Sequence, residues 1–444
     1  MMANIVGLNA TGRESAEYKS NGVRGMKIII VSMLVMISAL SQAIAAPPNI
    51  IFILVDDWGY GDASSKLSGV RIPEIDAIAQ AGVTFTDGYV TASLCAPSRA
   101  GALLGFSSQR VGFYDNPPPL PADWPPTFGL PFGTATVTEA LHELGYATAM
   151  FGKWHLGNRP DQHPMNKGFD EFLGMIGSSH PYYGVMEGNP ILRGTEPEPQ
   201  ANYLTDVFAQ EAASFIRRHS KQPFFIYFAS NAVHQPYDAK PETLATLSSI
   251  IDPERKLFAG TLIGLSEAVG TIAAALRAER IYENTLIVIV GDNGGVHAGK
   301  TKPLRGRKGS LFEGGIRVPF FISWPKMIPP GKVYTRPVST LDLYPTFMAA
   351  AGAVPPAKVE GVNLLPYLTT TAVQPDRYLY WGSKLKSAVR LGKWKLKRSG
   401  TTNELYNLAT DISEKKNVAA ANPSVVSKLN RARVAWISTL VSAQ

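Results

Sequence analysis

Asn49-Ile-Ile-Phe-Ile-Leu-Val55 and Leu286-Ile-Val-Ile-Val290 are unbroken apolar runs of strand length, rich in branched side chains. Neither alternates with polar residues, so both faces of each strand must be buried, as happens when helices cover both sides of a parallel sheet. Phe224–Ala229 and Ala147–Phe151 have the same texture, and helical patterns separate the four. Thr136-Val-Thr-Glu139 is a capping box that opens a helix through Leu144, with Gly145 as its stop before the Ala147 strand. Tyr203 to Arg218 and Gly260 to Arg280 read as further helices. Strands alternating with helices predict an α/β sandwich with a mostly parallel central sheet flanked by helices.

A chain of 444 residues suffices for one large core and a smaller domain. After a helix expected at Thr340 to Ala351, the texture changes to Pro355-Pro356 and then to short strand-like pieces at Tyr378–Trp381, Ser387–Leu391 and Trp394–Lys397. A closing helix is expected from Pro423 to Leu440. This predicts a main domain over 46–365 and a small α+β C-terminal domain with an antiparallel sheet over 366–444. Asn116 to Pro131, dense in Pro and Trp, is a long irregular loop of the kind that carries function or moves.

The first 45 residues read as a leader and signal peptide. Met26-Lys27 opens an apolar run from Ile28 to Leu40 that ends in small residues before Pro47-Pro48, and translation is compatible with a start at Met26. The run is shorter than the roughly 20 residues that cross a bilayer, and no later segment is expected to span one. The expectation is a periplasmic or secreted protein. Export permits disulfides, yet the single cysteine, Cys95, has no partner in the chain. The formal charge of +8 loses four positive and two negative charges with the leader, leaving +6. That balance suits an anionic substrate, although nucleic acid or an anionic surface attracts the same charge.

Two of the buried runs end alike, in Asp56-Asp57 and in Asp292-Asn293. Ligands of open α/β sheets sit beyond the carboxyl ends of strands, so these four side chains can converge on one point. Three carboxylates and an amide offer only hard oxygen ligands, which suit Ca²⁺, or Mg²⁺, better than zinc. A single Asp after a strand is more often a turn former or helix cap. Two adjacent pairs favour the metal reading.

Leu94-Cys95-Ala96-Pro97-Ser98-Arg99, continuing through Leu103 and Gly105, resembles the CxPSR signature of the type I, formylglycine-dependent sulfatases of the alkaline phosphatase superfamily. Leu104 departs from that pattern, where the family usually has Thr. The resemblance extends over nearly the whole chain after the leader, with its motifs in family order. They are Asp56-Asp57, CxPSR, Gly152-Lys-Trp-His-Leu-Gly157, His234, Asp292-Asn293-Gly294, and Lys308 before Glu313-Gly-Gly-Ile-Arg-Val-Pro319.

The resemblance implies an alkaline-phosphatase-like fold and a sulfuric ester hydrolase whose Cys95 is oxidised to formylglycine (3-oxoalanine) by a maturation enzyme. The hydrated aldehyde would provide two hydroxyls, one to attack sulfur and one to break the resulting intermediate. By the same resemblance Asp56, Asp57, Asp292 and Asn293 hold the cation together with an oxygen of modified Cys95. Arg99 orients the formylglycine, Lys153 contacts sulfate, His155 is the base that releases it, and His234 and Lys308 serve the leaving group.

The motifs leave the substrate open. His180-Pro-Tyr-Tyr183, with His180 and Tyr182 foremost, the loop around Trp124, and Arg305 with Arg307 are candidates for a polar, aromatic sugar pocket, or are surface residues. A sulfated carbohydrate is the favoured substrate, without nucleic acid. The alternatives are a broad arylsulfatase, a phosphonate or phosphodiester hydrolase of the same superfamily, and a catalytically silent protein that binds sulfated glycans.

Overall fold

The computed structural model describes residues 46–118, 120 and 128–441. The expected leader and signal peptide, including Met26, and Trp124 of the long loop lie outside the described residues.

Ten strands make the central sheet: β1 (Asn49–Val55), β2 (Val83–Phe85), β3 (Ala147–Lys153), β4 (Glu171–Met175), β5 (Leu192–Arg193), β6 (Glu196–Pro197), β7 (Phe224–Ser230), β8 (Thr285–Gly291), β9 (Phe320–Ser323) and β10 (Lys332–Tyr334). Their order across the sheet is β10-β2-β9-β8-β1-β7-β3-β4-β5-β6. The middle five, β8-β1-β7-β3-β4, are parallel. β9 runs antiparallel to its neighbours, and β5 and β6 close the far edge antiparallel.

Every residue of β1, β3, β7 and β8 is buried, as their lack of alternation requires. The pleat sends Ile50, Phe52 and Leu54 into one core layer and Ile51, Ile53 and Val55 into the other. The first layer is covered by α1 (Cys95–Leu104), α2 (Val137–Glu143) and α6 (Leu343–Ala350), with Ile316 of the short α5 (Glu313–Ile316) among them. The second is covered by α3 (Leu204–Arg218) and α4 (Pro253–Ala278). The fold is thus the expected α/β sandwich with a mostly parallel sheet. Both halves of the Thr136–Glu139 capping box form at α2.

Two helices differ from expectation. The Thr340–Ala351 segment begins as a tight 3₁₀ turn, Thr340–Asp342, before α6. α4 starts earlier than Gly260, because Asp252 accepts a hydrogen bond from the Arg255 amide at 2.7 Å and Pro253 occupies the first turn. At 26 residues α4 is long and apolar enough to cross a membrane, contrary to the expectation that no later segment is. The physical reason for its composition is packing, since 67% of its most apolar window is buried inside the fold.

Towards the C-terminus, β11 (Tyr378–Gly382), β12 (Lys386–Leu391), β13 (Trp394–Ser399) and β14 (Thr402–Asn407) form an antiparallel sheet in sequence order. β14 has no apolar run to announce it; its pairing with β13 and the burial of Leu405 and Tyr406 hold it. One face of this sheet contributes Leu379, Trp381 and Ala388 to the first core layer, and the Trp381 indole N–H donates to the Val90 carbonyl at 2.7 Å. The other face packs Val389, Leu396 and Leu405 on Leu429 of α7 (Pro423–Ile437), which ends before Leu440. The described residues from Pro47 onward form one compact unit.

Candidate active site

β1 and β8 pair in parallel register, Val55 beside Gly291, so Asp56-Asp57 and Asp292-Asn293 leave the same sheet edge side by side. The Asp57 amide donates to Asp292 Oδ1 at 3.0 Å, and Asn293 Nδ2 donates to Asp57 Oδ1 at 2.8 Å. After β7 the chain folds back, with the Val233 amide on the Asp56 carbonyl at 2.8 Å, and His234 Nε2 comes to 3.5 Å from Asp57 Oδ2. β3 ends in Lys153, whose Nζ donates to Asp56 Oδ2 at 2.6 Å. Four parallel strands therefore deliver their carboxyl ends to one place, where a topology of this kind puts its ligand.

Two glycines explain how the backbones come so close. A Cβ on Gly152, whose φ is +112°, would lie 2.0 Å from the Ala229 carbonyl oxygen of β7. One on Gly294 would lie 1.9 Å from the Gly314 carbonyl oxygen, so the Asp292-Asn293-Gly294 turn fits only against the glycines of Glu313–Pro319. Asp57 and His155 adopt left-handed backbone at φ +59° and +60°. Non-glycine residues in that region cost of order 1–3 kcal/mol and persist where the surroundings over-determine them.

Cys95 is the first residue of α1, all of which is buried. Leu94 provides no side-chain cap; instead Asn116 Oδ1 accepts the Ala96 amide at 2.9 Å. Cys95 Sγ lies 3.6 Å from Asp56 Oδ1. One turn on, Arg99 donates from Nε and Nη2 to Asp292 Oδ2 at 3.0 and 2.8 Å and from Nη1 to the Lys153 carbonyl at 3.0 Å. Lys308 Nζ reaches both Asp57 oxygens, at 2.7 and 3.0 Å.

Burial drives the electrostatics. It pushes the Cys95 thiol up to about 12, against the opposing charge of Lys153, so the unmodified thiol is protonated at neutral pH. Burial alone would raise Asp56 too, but Lys153, Arg99 and Lys308 together hold it well below the usual carboxylate range. Asp292 is raised by burial and then by the Asp56 charge, against Arg99 and Lys153. Burial, followed by Lys153 and Arg99, keeps His155 far below an ordinary histidine, and burial lowers His234. Burial would lower Lys308, but the charges of Asp57, Asp56 and Asp292 outweigh it and raise the ammonium.

The donor set fits a hard divalent cation. Donor atoms of Asp56, Asp57, Cys95 and His234 lie within 4.8 Å of one another. Asn293 Oδ1 is buried with no hydrogen-bond partner, an acceptor that costs free energy unless something positive meets it. Asp292 adjoins through its contact with the Asp57 amide, and its oxygens keep lone pairs beyond those engaged by Arg99. The structure thus brings His234 as close to the acidic cluster as the expected ligands are.

The three residues singled out for substrate are placed less favourably. Tyr182 is 1% exposed, and its hydroxyl donates to the carbonyls of His234 and Asn231 at 3.0 and 3.3 Å, so it props the His234 turn from beneath and has no face for a ligand. Arg305 lies with its guanidinium 3.9 Å over the Phe312 ring and donates to the Glu414 carbonyl at 2.9 Å, a strut towards the C-terminal sheet. His180 is buried, with Nδ1 2.8 Å from the Pro181 carbonyl. A cavity of about 440 Å³ opens beside His234 instead, lined by Asn116, Pro117, Ser178, Ser179, Gln235 and Pro236. No motif marks Ser178, Ser179 or Gln235; Asn116 and Pro117 carried a signal, as the start of the long loop.

The Sulfatase family model matches residues 48–353, and the family described as "N-sulphoglucosamine sulphohydrolase, C-terminal" matches 307–434. N-acetylgalactosamine-6-sulfatase of Canis lupus familiaris is 32% identical, covering 84% of this chain and 76% of its own. Arylsulfatase A of Homo sapiens is 33% identical, covering 88% of each. The crystal structure of Ps i-CgsB superposes with a TM-score of 0.84 at 33% identity, over 90% of this chain and 94% of its own. The phosphonate monoester hydrolase SpPMH of Silicibacter pomeroyi shares the fold, with a TM-score of 0.65 at 18% identity over 89% and 96%. With most of its length matched and its acidic strand ends gathered around Cys95, this chain belongs to the sulfatase family of the alkaline phosphatase superfamily and is a sulfuric ester hydrolase.

Proposed function

We propose that this enzyme is exported to the periplasm or secreted and removes sulfate from a sulfated carbohydrate, using residue 95 as formylglycine beside Ca²⁺. The observation that carries the reading is Cys95 itself: buried, protonated, at the head of α1 and 3.6 Å from Asp56, in a ring of Lys153, Lys308, Arg99 and His234. A thiol held that far from ionisation is a weak nucleophile, so the position makes chemical sense only after conversion. As the hydrated aldehyde, residue 95 would supply one hydroxyl to attack sulfur and a second to release sulfate. The bound cation, held by Asp56, Asp57, Asp292 and Asn293, would supply positive charge to the sulfate oxygens and lower the pKa of the attacking hydroxyl.

The chain's own groups divide the remaining work. Lys153 stands over the nucleophile position and meets the sulfate charge. Arg99, locked between Asp292 and the Lys153 carbonyl, fixes the first turn of α1 and with it residue 95. His155, kept neutral by burial and by Lys153, is able to take a proton when sulfate departs. Lys308 stays protonated through its anionic neighbours and, with His234 at the cavity mouth, donates towards the departing oxygen.

A carbohydrate substrate is supported by the relatives, one an N-acetylgalactosamine-6-sulfatase and one, Ps i-CgsB, also solved with k-i-k-neocarrahexaose bound. The polar lining of Ser178, Ser179, Gln235 and Asn116 suits sugar hydroxyls. The apolar run after Met26, ending in small residues before Pro47-Pro48, supports export, and the net positive charge suits an anionic substrate. The test is peptide mass spectrometry of active enzyme from a host that has the maturation machinery, with sulfate release from a panel of sulfated oligosaccharides. An aldehyde at residue 95 and release from at least one oligosaccharide are expected. Full activity with an intact Cys95 thiol would reject formylglycine, and turnover of aryl sulfates alone would reject the carbohydrate.

A further inference from the structure

Lys308 sits in a loop whose two ends are tied together, the Gly314 amide donating to the Arg305 carbonyl at 2.7 Å. On its inner side the loop touches the site: the Lys308 amide donates to the Gly295 carbonyl at 3.1 Å and the Gly309 amide to Ser93 at 2.8 Å. On its outer side both ends are gripped by one residue, Glu414, which follows the C-terminal sheet. Glu414 Oε2 accepts the Glu313 amide at 2.6 Å, and its carbonyl accepts Arg305 Nη1 at 2.9 Å. Glu414 is fully buried and stands at φ +50°, a left-handed conformation that a glutamate holds only where its surroundings impose it. Lys395 Nζ lies 3.0 Å from Glu414 Oε1 and 2.8 Å from Glu313 Oε1, fixing the carboxylate from β13. Phe312 of the same loop lies between Arg305, at 3.9 Å, and Lys397, at 4.4 Å, with Tyr406 beside it.

We propose that Glu414 is a positioning residue for the leaving-group side of the site: it clasps the 305–313 loop so that the Lys308 ammonium is held where the departing oxygen needs its proton. This rests on the reading of Lys308 as proton donor. A donor displaced by even an ångström loses much of its effect, while the nucleophile, sulfate contacts and cation ligands sit on or just beyond β1, β3, β8 and α1, outside the clasped loop. The consequence is selective. A leaving group that departs as a stable anion, such as 4-nitrophenolate, needs little proton donation, whereas a sugar alkoxide needs it fully.

Glu414→Gly removes the carboxylate clasp and suits the positive φ, so it separates positioning from folding; Glu414→Gln, which keeps an acceptor for the Glu313 amide, is its companion. With formylglycine content and thermal midpoint verified for each matured protein, kcat/KM is measured on 4-nitrophenyl sulfate and on a sulfated sugar. Glu414→Gly is expected to lower the sugar rate roughly tenfold to a hundredfold and the nitrophenyl rate less than about threefold, with Glu414→Gln between it and the parent. Lys308→Ala is expected to show the same selectivity, and the double variant to be no worse than Lys308→Ala. Equal losses on both substrates, no loss on either, or effects that multiply in the double variant would overturn the proposal. If Lys308→Ala itself shows no dependence on leaving group, it is the proton-donor reading that fails, whatever Glu414 does.

Discussion

Among the described residues, two clusters of buried charge, each with three acids and three cations, are used in opposite ways. At the sheet edge Asp56, Asp57 and Asp292 face Arg99, Lys153 and Lys308. Where the C-terminal sheet meets the main one, Asp87, Glu313 and Glu414 face Arg317, Arg390 and Lys395. In the second cluster Tyr89 donates to Glu313, Arg317 pairs with Asp87 and Glu313, and each cation has an acid on another segment. The first cluster also has Cys95, two histidines held neutral by burial and an unbonded Asn293 oxygen. Balanced charge alone does not mark a site. What marks it is buried polar capacity left unmet next to an open cavity, because such capacity costs free energy and persists only where a ligand will use it.

Four perturbations test that contrast. The largest effect falls on the first cluster: Cys95→Ala should reduce sulfate release to the uncatalysed rate while the thermal midpoint barely changes, and residual turnover would show that residue 95 is not the nucleophile. In the second, Lys395→Ala leaves Glu313 and Glu414 buried without their shared cation and should cost about 3–5 kcal/mol of stability in denaturant unfolding. A loss under 1 kcal/mol would mean that the cluster rearranges freely. Stripping Ca²⁺ with a chelator should abolish activity and remove about 2.7 kcal/mol of stability relative to a sample at one hundred times the dissociation constant, both restored by added Ca²⁺. A chelator-treated enzyme as active as before would take the cation out of the site.

The smallest effect is that of pH. Lys395, Arg317 and Arg390 outweigh burial and hold Glu313 down to about 2, below its unfolded value near 4.5. Its stabilisation is present above pH 4.5 and is lost as pH falls towards 2. Glu414, raised by burial and by Glu313, acts in the opposite sense, since its contribution is lost as pH rises through its folded pKa. A parent protein should therefore lose stability on acidification below pH 4.5 more steeply than Glu313→Gln, compared by unfolding at each pH. Identical slopes would remove Glu313 from the acid response.

Much of this was legible in the residues. Strands buried on both faces announce themselves as unbroken apolar runs, and β1 matches its run residue for residue. The capping box at Thr136 and the acid pairs at the strand ends are likewise local patterns, and the CxPSR segment carries the family. The short strands β4 and β14 carry no such pattern, because pairing with a neighbour rather than composition makes them strands. Tyr182 and Arg305 look like ligand contacts in a sequence, since aromatic and basic residues in loops often are, yet one is enclosed beneath His234 and the other leans on Phe312.

By itself the sequence determined the sheet's buried strands, the Asp56-Asp57 and Asp292-Asn293 pairs that follow two of them and the cysteine of the CxPSR segment, all within spans of a few residues where periodicity and motif suffice. Tertiary structure alone decided which charges meet. Arg99 finds Asp292 across 193 positions, and Lys395 finds Glu313 across 82. Such pairs are set by packing of distant segments in a low-dielectric interior, where a buried charge must find a partner but nothing local says which one.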